Sequence, residues 1–231
     1  MSENRYEFPL AQGWSNGLVL AFEGTSSSAK LNQDDFLQVK QVHGDEIYEP
    51  SYSELINGIE KEIQADGLFL SNAQICESPR GLLIKSADCI PLIYIHRVKE
   101  QVAVVHAGWR GLLQGIHLKP FKSLGFEPED TWVWLGPSLN GDEFEVEVDM
   151  WSQFPEDVQM KFFRDHATKP TKKVFDAWKM IEVQFKELNV ELLYNVEEST
   201  VSNPNFSSWR RCQKQGMTKV PQQNFSWVKF K

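Results

Sequence analysis

Short apolar runs and longer amphipathic stretches follow one another along this chain, and their two periods outline the fold. Runs rich in Val, Ile, Leu and Phe predict strands over residues 18–22, 36–42, 67–70, 81–86, 92–96, 101–106, 131–135, 144–148, 190–194 and 227–230. Helical spacing predicts helices over residues 53–59, 111–123, 149–153, 156–163 and 174–188. The last is the clearest, with Phe175, Trp178, Phe185 and Leu188 on one face and Lys179, Glu182 and Lys186 outside. Its aromatic stripe reads as core packing. The runs 92–96 and 101–106, joined by a short connection, predict a hairpin, so the sheet is not purely parallel. Many strands with few helices predict an α+β chain, one domain over residues 1–231, with mixed sheets covered by helices. GTSSSA (24–29) and DHATKPTKK (165–173) read as loops.

Composition narrows the setting. The 231 residues are 41% hydrophobic, enough for a sizeable core. Lys and Arg number 24 against 32 Asp and Glu, a net charge of −8, which argues against nucleic acid as a partner. Cys76, Cys89 and Cys212 are an odd count at no framework spacing, as in a reducing cytosol. No apolar run approaches the length of a membrane span, and MSENRYEFPL is too acidic for a signal peptide. A cytoplasmic protein without a membrane partner is expected.

Chemistry concentrates at the ends of three runs. The run over 37–42 delivers His43 in QVHG, the run over 81–84 leads to Cys89 in SADC, and the run over 102–105 ends at His106 in HAGWRG. Reactive groups at strand ends are held by a rigid sheet yet stay accessible. A thiolate and two imidazoles presented this way suit a three-ligand metal site with a free position, the catalytic zinc pattern. They equally suit a Cys89 nucleophile with His106 as its base. Copper is the weaker expectation, because a multicopper cluster needs more imidazoles than the five in the chain. In HAGWRG, Gly108 and Gly111 permit a tight turn into a helix expected to begin near Gly111, and Arg110 adds a bidentate donor for phosphate or an oxyanion. Trp109 either stacks on a planar ligand or packs the turn, and Asp88 either orients a ligand or caps a turn. His96, His117 and His166 lack a strand-end placement and read as structural or surface residues, and Cys76 and Cys212 lack a partner.

QVHG, ADGLFLS, KSADCIPL, VAVVHAGWRG and GPSLNGDEFEV, in that order, closely resemble the YfiH-type laccase-domain family, also described as multicopper polyphenol oxidoreductases, peptidoglycan editing factors and purine nucleoside phosphorylases. The likeness is strong from Gln41 to about residue 148 and continues through VFDAW (174–178) to SSWRR (207–211). It implies two mixed sheets layered between helices, similar to the catalytic domain of cytotoxic necrotizing factor, and one zinc on His43, Cys89 and His106. It implies phosphorolysis of adenosine, inosine or methylthioadenosine, or deamination of adenosine, with a small nucleoside and phosphate as partners; a monomer is expected. Cys89, His106 and Arg110 would carry the reaction. The alternative it implies is amide cleavage in a UDP-MurNAc-peptide precursor of the cell wall. The chain departs from the family pattern at Ile181-Glu182, where an Asn-Arg pair is usual, and at Ser199, where Cys is usual. These departures leave a third reading, a metal-binding protein without the chemistry.

Overall fold

In the computed structural model, which describes residues 5–8, 18–24, 30–75, 78–195 and 199–230, the chain forms β1 (Arg5–Phe8), β2 (Leu18–Glu23), β3 (Phe36–Leu37), β4 (Ile47–Tyr48), α1 (Tyr52–Asn57), β5 (Gly67–Leu70), α2 (Asn72–Ile75), β6 (Gly81–Ser86), β7 (Ile90–His96) and β8 (Gln101–Ala107). There follow α3 (Trp109–Gln114), α4 (Lys119–Ser123), β9 (Thr131–Leu135), β10 (Glu145–Glu147), α5 (Val148–Trp151), α6 (Glu156–Phe162) and β11 (Phe163–Asp165). The last elements are β12 (Lys172–Phe175), α7 (Ala177–Glu187), β13 (Glu191–Asn195), α8 (Trp209–Lys214) and β14 (Asn224–Phe230). Cys76 and residues 25–29 of the GTSSSA stretch lie outside the described residues.

Strand pairing makes two large mixed sheets. One has five strands in the order β1-β2-β14-β6-β3, antiparallel except where β3 joins β6. The other has six, β13-β9-β7-β8-β5-β4, with parallel pairs only at its two ends. A small antiparallel sheet, β10-β12-β11, adds a unit that the sequence did not suggest.

The side-chain alternation of β7 and β8 explains why their sequences look uniformly apolar. Ile93, Ile95, Val102 and Val104 pack between the large sheets with Leu20, Phe22, Leu82, Ile84 and Val228. Leu92, Tyr94, Ala103 and Val105 face the other way, against Leu112, Ile116, Trp178, Ile181 and Phe185 of the helical layer. A strand covered on both faces needs apolar residues at both parities. The α+β class with mixed layered sheets is therefore what the structure shows. No helix among the described residues is long and apolar enough to cross a membrane.

Several predicted boundaries are corrected. The helix expected over 174–188 begins only at Ala177: residues up to Phe175 form β12, and Asp176 caps the helix by accepting a hydrogen bond from Lys179 N. Phe175 therefore reaches the core from a strand, and Leu188 is a partly exposed C-cap. The helix expected over 111–123 is two short helices separated by a 3-10 turn at Ile116–Leu118. Gly115 breaks it at φ +81, a conformation that favours glycine, and Pro120 lies in the first turn of α4. The strand expected over 36–42 ends at Leu37, and Lys40 makes only an isolated bridge to Gln64.

Burial sets the expected response to truncation. Ile93, wholly buried between the sheets, should lose about 2–5 kcal/mol of stability on change to Ala, whereas Val98→Ala, 68% exposed in a hairpin turn, should fall within about 0.5 kcal/mol. Urea denaturation of both variants checks this, and equal losses would refute the two-sided core.

Candidate functional site

A buried carboxylate organises one end of the six-stranded sheet. Asp66 precedes β5, and the pairing of Gly67 with Val105 sets it beside His106 on β8. Asp66 is wholly buried and accepts four hydrogen bonds. Three come from successive backbone N–H groups: Val42 at 3.2 Å, His43 at 2.9 Å and Gly44 at 2.7 Å. The fourth joins His106 Nδ1 at 2.8 Å. Burial pushes the Asp66 carboxyl up, but the His106 and backbone donors outweigh it and hold the group below its usual 3.8. An ionised Asp66 takes the proton of Nδ1 as its donor, so Nε2 of His106 is the nitrogen left for the site.

This carboxylate also shapes the His43 segment. To aim three N–H groups at one side chain, the backbone turns through φ +63 at His43, a left-handed conformation that costs a non-glycine residue roughly 1–2 kcal/mol. Charge-assisted bonds are each worth about 1.5–3 kcal/mol, so three of them hold the turn. His43 thus sits in a clamped loop, not at the end of a long strand. Gln41 ties the same segment to β6 with two bonds: its Nε2 donates to Lys85 O at 2.7 Å, and Lys85 N donates to its Oε1 at 2.8 Å.

Cys89 comes from the turn between β6 and β7. The hairpin pairs Ile90 with Ala107, so the next residues outward, Cys89 and Gly108, are neighbours. Asp88 adopts φ +90, and its carboxylate accepts from Thr200 Oγ1 and from Arg210 N, both at 2.6 Å. It therefore caps the start of α8 and fixes the turn. Of its two expected roles, the cap is the one seen.

These supports bring His43, Cys89 and His106 together, with their ligand atoms within 4.8 Å of one another. The two imidazoles meet edge to face, ring centroids 5.0 Å apart. Gly108 leaves the space between them clear: a Cβ there would lie 3.1 Å from the His43 ring and 3.4 Å from Cys89 Sγ. Gly111 allows α3 to press onto the clamped loop, since its Cβ would lie 2.7 Å from Gly44 O. Burial pushes the Cys89 thiol up, but the charge and hydrogen bond of His106, then those of His43, bring it down from 9.0 to about 6. His106 is pushed down by burial but raised by the Cys89 charge and by Asp66, to about 9. Each group thus favours the charged form of the other, Cys89 toward thiolate and His106 toward imidazolium.

The trio lines a cleft of about 620 Å³, walled in part by Trp109, Phe144 and Trp209. The helix after β8 starts at Trp109 with Gly108 as its N-cap, earlier than the expected Gly111. Arg110 is exposed, lines the cleft and covers the Trp109 ring at 4.5 Å from its centroid. Trp109 itself packs against the core, so packing is the role it shows. His96, His117 and His166 stand apart, bonded to Glu127, Gln184 and Glu145 respectively. Sequence alone assigned no individual role to Asp66, Gln41 or Lys85, and marked Gly108 as a turn residue only. The signals for Asp66 were an acid just before a buried strand and its place in ADGLFLS.

In metal-free protein, alkylation of Cys89 by iodoacetamide should rise with pH through a midpoint near 6, because protonation below that value removes the thiolate. His106→Asn should move the midpoint up toward about 8.5. Mass spectrometry of the Cys89 peptide reads both, and a wild-type midpoint at the ordinary value would refute the pair.

Residues 22–219 match the family model for multi-copper polyphenol oxidoreductase laccase. A Shigella flexneri protein named purine nucleoside phosphorylase YfiH is 30% identical over 129 residues, 55% of this chain and 53% of that protein. The chain thus spans about half the length of that relative. A Rickettsia conorii protein also named purine nucleoside phosphorylase is 27% identical over 192 residues, 80% of this chain and 75% of its own. Among solved structures, a Neisseria meningitidis protein superposes with a TM-score of 0.72 at 18% identity, covering 98% of both chains. YlmD from Geobacillus stearothermophilus gives 0.68 at 19%, covering 99% of this chain and 97% of its own. These two likenesses bear on the fold alone. Because the family model spans well over half of the sequence, including all five motifs from Gln41 onward, this chain belongs to the multi-copper polyphenol oxidoreductase laccase family, the YfiH-type group.

Proposed function

We propose that this chain is a metal-dependent enzyme that cleaves purine nucleosides by phosphorolysis, holding one zinc ion on His43, Cys89 and His106. The observation that carries the reading is the meeting of one sulfur and two imidazoles from three distant segments within 4.8 Å, at a cleft sized for a small molecule. Relatives named purine nucleoside phosphorylase support the reaction class.

The donor set fits a single divalent ion. One thiolate and two neutral imidazoles suit zinc, Asp66 supplies the carboxylate that orients a ligating histidine, and Gly108 keeps the space clear. The set does not fit a multicopper cluster. All five histidines are described, and three of them are bonded elsewhere, leaving one three-residue group among the described residues. When bound, zinc would act as a Lewis acid toward the electrophile and lower the pKa of a bound water.

The chain's own residues would do the rest. Asp66 keeps the His106 ring in one tautomer and orientation. Arg110, exposed at the cleft with a planar fork of donors, would bind phosphate. In the reaction a phosphate oxygen bonds to the ribose carbon while the carbon–nitrogen bond to the purine breaks. The electron pair leaves with the base, which takes up one proton. Adenosine, inosine and methylthioadenosine are the expected substrates, with deamination of adenosine as a companion activity.

The lowered Cys89 thiol favours a second reading, in which the Cys89 thiolate attacks an amide carbonyl and His106 protonates the leaving amine. Metal removal separates the two. Chelated protein should lose at least about 90% of phosphorolysis and regain it with stoichiometric zinc, an effect on the order of tenfold or more. Full activity after chelation, abolished by Cys89→Ser, would replace the zinc mechanism with the thiol mechanism.

Arg110→Lys separates binding from folding. It should raise the KM for phosphate roughly tenfold, because an ammonium cannot supply the fork, while Tm stays unchanged at this exposed position. Unchanged KM, or a loss confined to Tm, would remove Arg110 from phosphate binding.

A further inference from the structure

Helix α8 turns one exposed face to the cleft. Trp209 is its first residue and Gln213 stands one turn later, and both are exposed and line the cleft. Residues four apart are neighbours on a helix surface. Cys212 points the other way, into the protein. The start of the helix is held firmly. The Ser208 side chain accepts from Arg211 N, Asp88 accepts from Arg210 N at 2.6 Å, and the Arg210 guanidinium donates to Glu145 O at 2.9 Å. Asp88 directly precedes Cys89, so the bond from Arg210 N sets Trp209 beside the turn that carries the thiol.

Trp209 is the informative side chain. It is 37% exposed, whereas the other described tryptophans are buried in the three core clusters or packed against them. A single exposed apolar side chain on an open surface needs no explanation. An indole held by its backbone in a cleft wall, with an amide beside it, is a different case. Such a ring gains most when another flat ring covers its face. A nucleobase offers that flat ring together with a hydrogen-bonding edge. The amide of Gln213 carries both a donor and an acceptor and can turn over. It can therefore accept from N6 and donate to N7 of adenine, or donate to O6 of hypoxanthine.

We propose that Trp209 and Gln213 form the base-recognition face of the cleft, with the indole stacked on the purine ring and the Gln213 amide bonded to its edge at the six-position and N7. That the base is a purine rests on the phosphorolysis reading; that this face takes a flat heteroaromatic ring does not. An amide that serves adenine and hypoxanthine alike also accounts for one cleft accepting adenosine, inosine and methylthioadenosine, since recognition ends at the base. A cleft of about 620 Å³ is within the range of small-molecule sites and can hold a nucleoside.

Calorimetric titration of the zinc-loaded full chain with adenosine, inosine and ribose 1-phosphate tests this. Trp209→Ala should weaken both nucleosides about tenfold or more, because it removes the stack, and should leave ribose 1-phosphate, which has no base, within about twofold. Trp209→Phe should keep most of the affinity. Gln213→Glu keeps the acceptor and loses the donor, so it should shift the ratio of affinities about tenfold toward adenosine over inosine. If Trp209→Ala does not fold, Trp209→Leu, apolar but without a π face, and Gln213→Glu carry the test. Nucleoside affinity that survives the loss of the ring, an equal loss for ribose 1-phosphate, an adenosine-to-inosine ratio that Gln213→Glu does not move, or no binding of either nucleoside would each overturn the assignment. Ring-dependent binding of both nucleosides without phosphorolysis would remove the phosphorolysis reading and leave the base-recognition face in place. Phosphorolysis that neither substitution weakens would do the reverse.

Discussion

Asp66 is the point on which the site turns. A wholly buried carboxylate is unfavourable unless nearly all its lone pairs are used, and here four donors use them. Because three of those donors belong to consecutive residues, the same bonds that satisfy the charge also fold the Val42–Gly44 segment around it. Because the fourth belongs to His106, one side chain fixes two imidazoles that are far apart in sequence. After the Cys89 charge, the Asp66 hydrogen bond and charge add to what raises the His106 pKa.

A second tier of contacts reaches from the far end of the chain. Asp88 takes up an unfavourable φ of +90, and its carboxylate links the Cys89 turn to Thr200 and the start of α8. Arg211 donates to the carbonyls of Thr200, Val201, Asn203 and Phe206, which binds the 200–206 segment into a single unit. Ser138 joins in through its hydroxyl, which accepts from Trp178 Nε1 at 2.7 Å. Of the two arginines in SSWRR, Arg211 holds the 200–206 backbone, and Arg210, which lines the cleft, donates to Glu145 O at 2.9 Å. Strain at the Cys89 turn persists because these surroundings over-determine it.

Charge is distributed with the same economy. The remaining histidines show what a histidine does when it is not at the site: His96 accepts from Val98 N and Lys99 N and stiffens a hairpin turn, and buried His117 is pushed down to about 4 by burial. Glu145 gathers His166, Lys169 and Lys172 and is held down near 2, chiefly by the Lys169 hydrogen bond. Lys119, Lys173 and Lys229 meet carboxylates in the same way.

The sequence by itself determined the central strands, the class of fold and the identity of the three converging side chains. β7 and β8 were legible because burial on both faces leaves an unbroken apolar signature, and Cys89 and His106 stood out beside such runs, whereas His43 was picked from a run whose strand ends at Leu37. Periodicity failed where one apolar pattern served two elements: Phe175 continues the spacing of α7 but belongs to β12, and a single period cannot mark the change at Asp176. The tertiary structure alone decided how the site is held. Asp66 meets His106 across 40 residues, Gln41 meets Lys85 across 44, and Asp88 meets Thr200 across 112. Local propensity carries no record of pairings at such separations, because they arise from sheet register and from the need to satisfy buried charge.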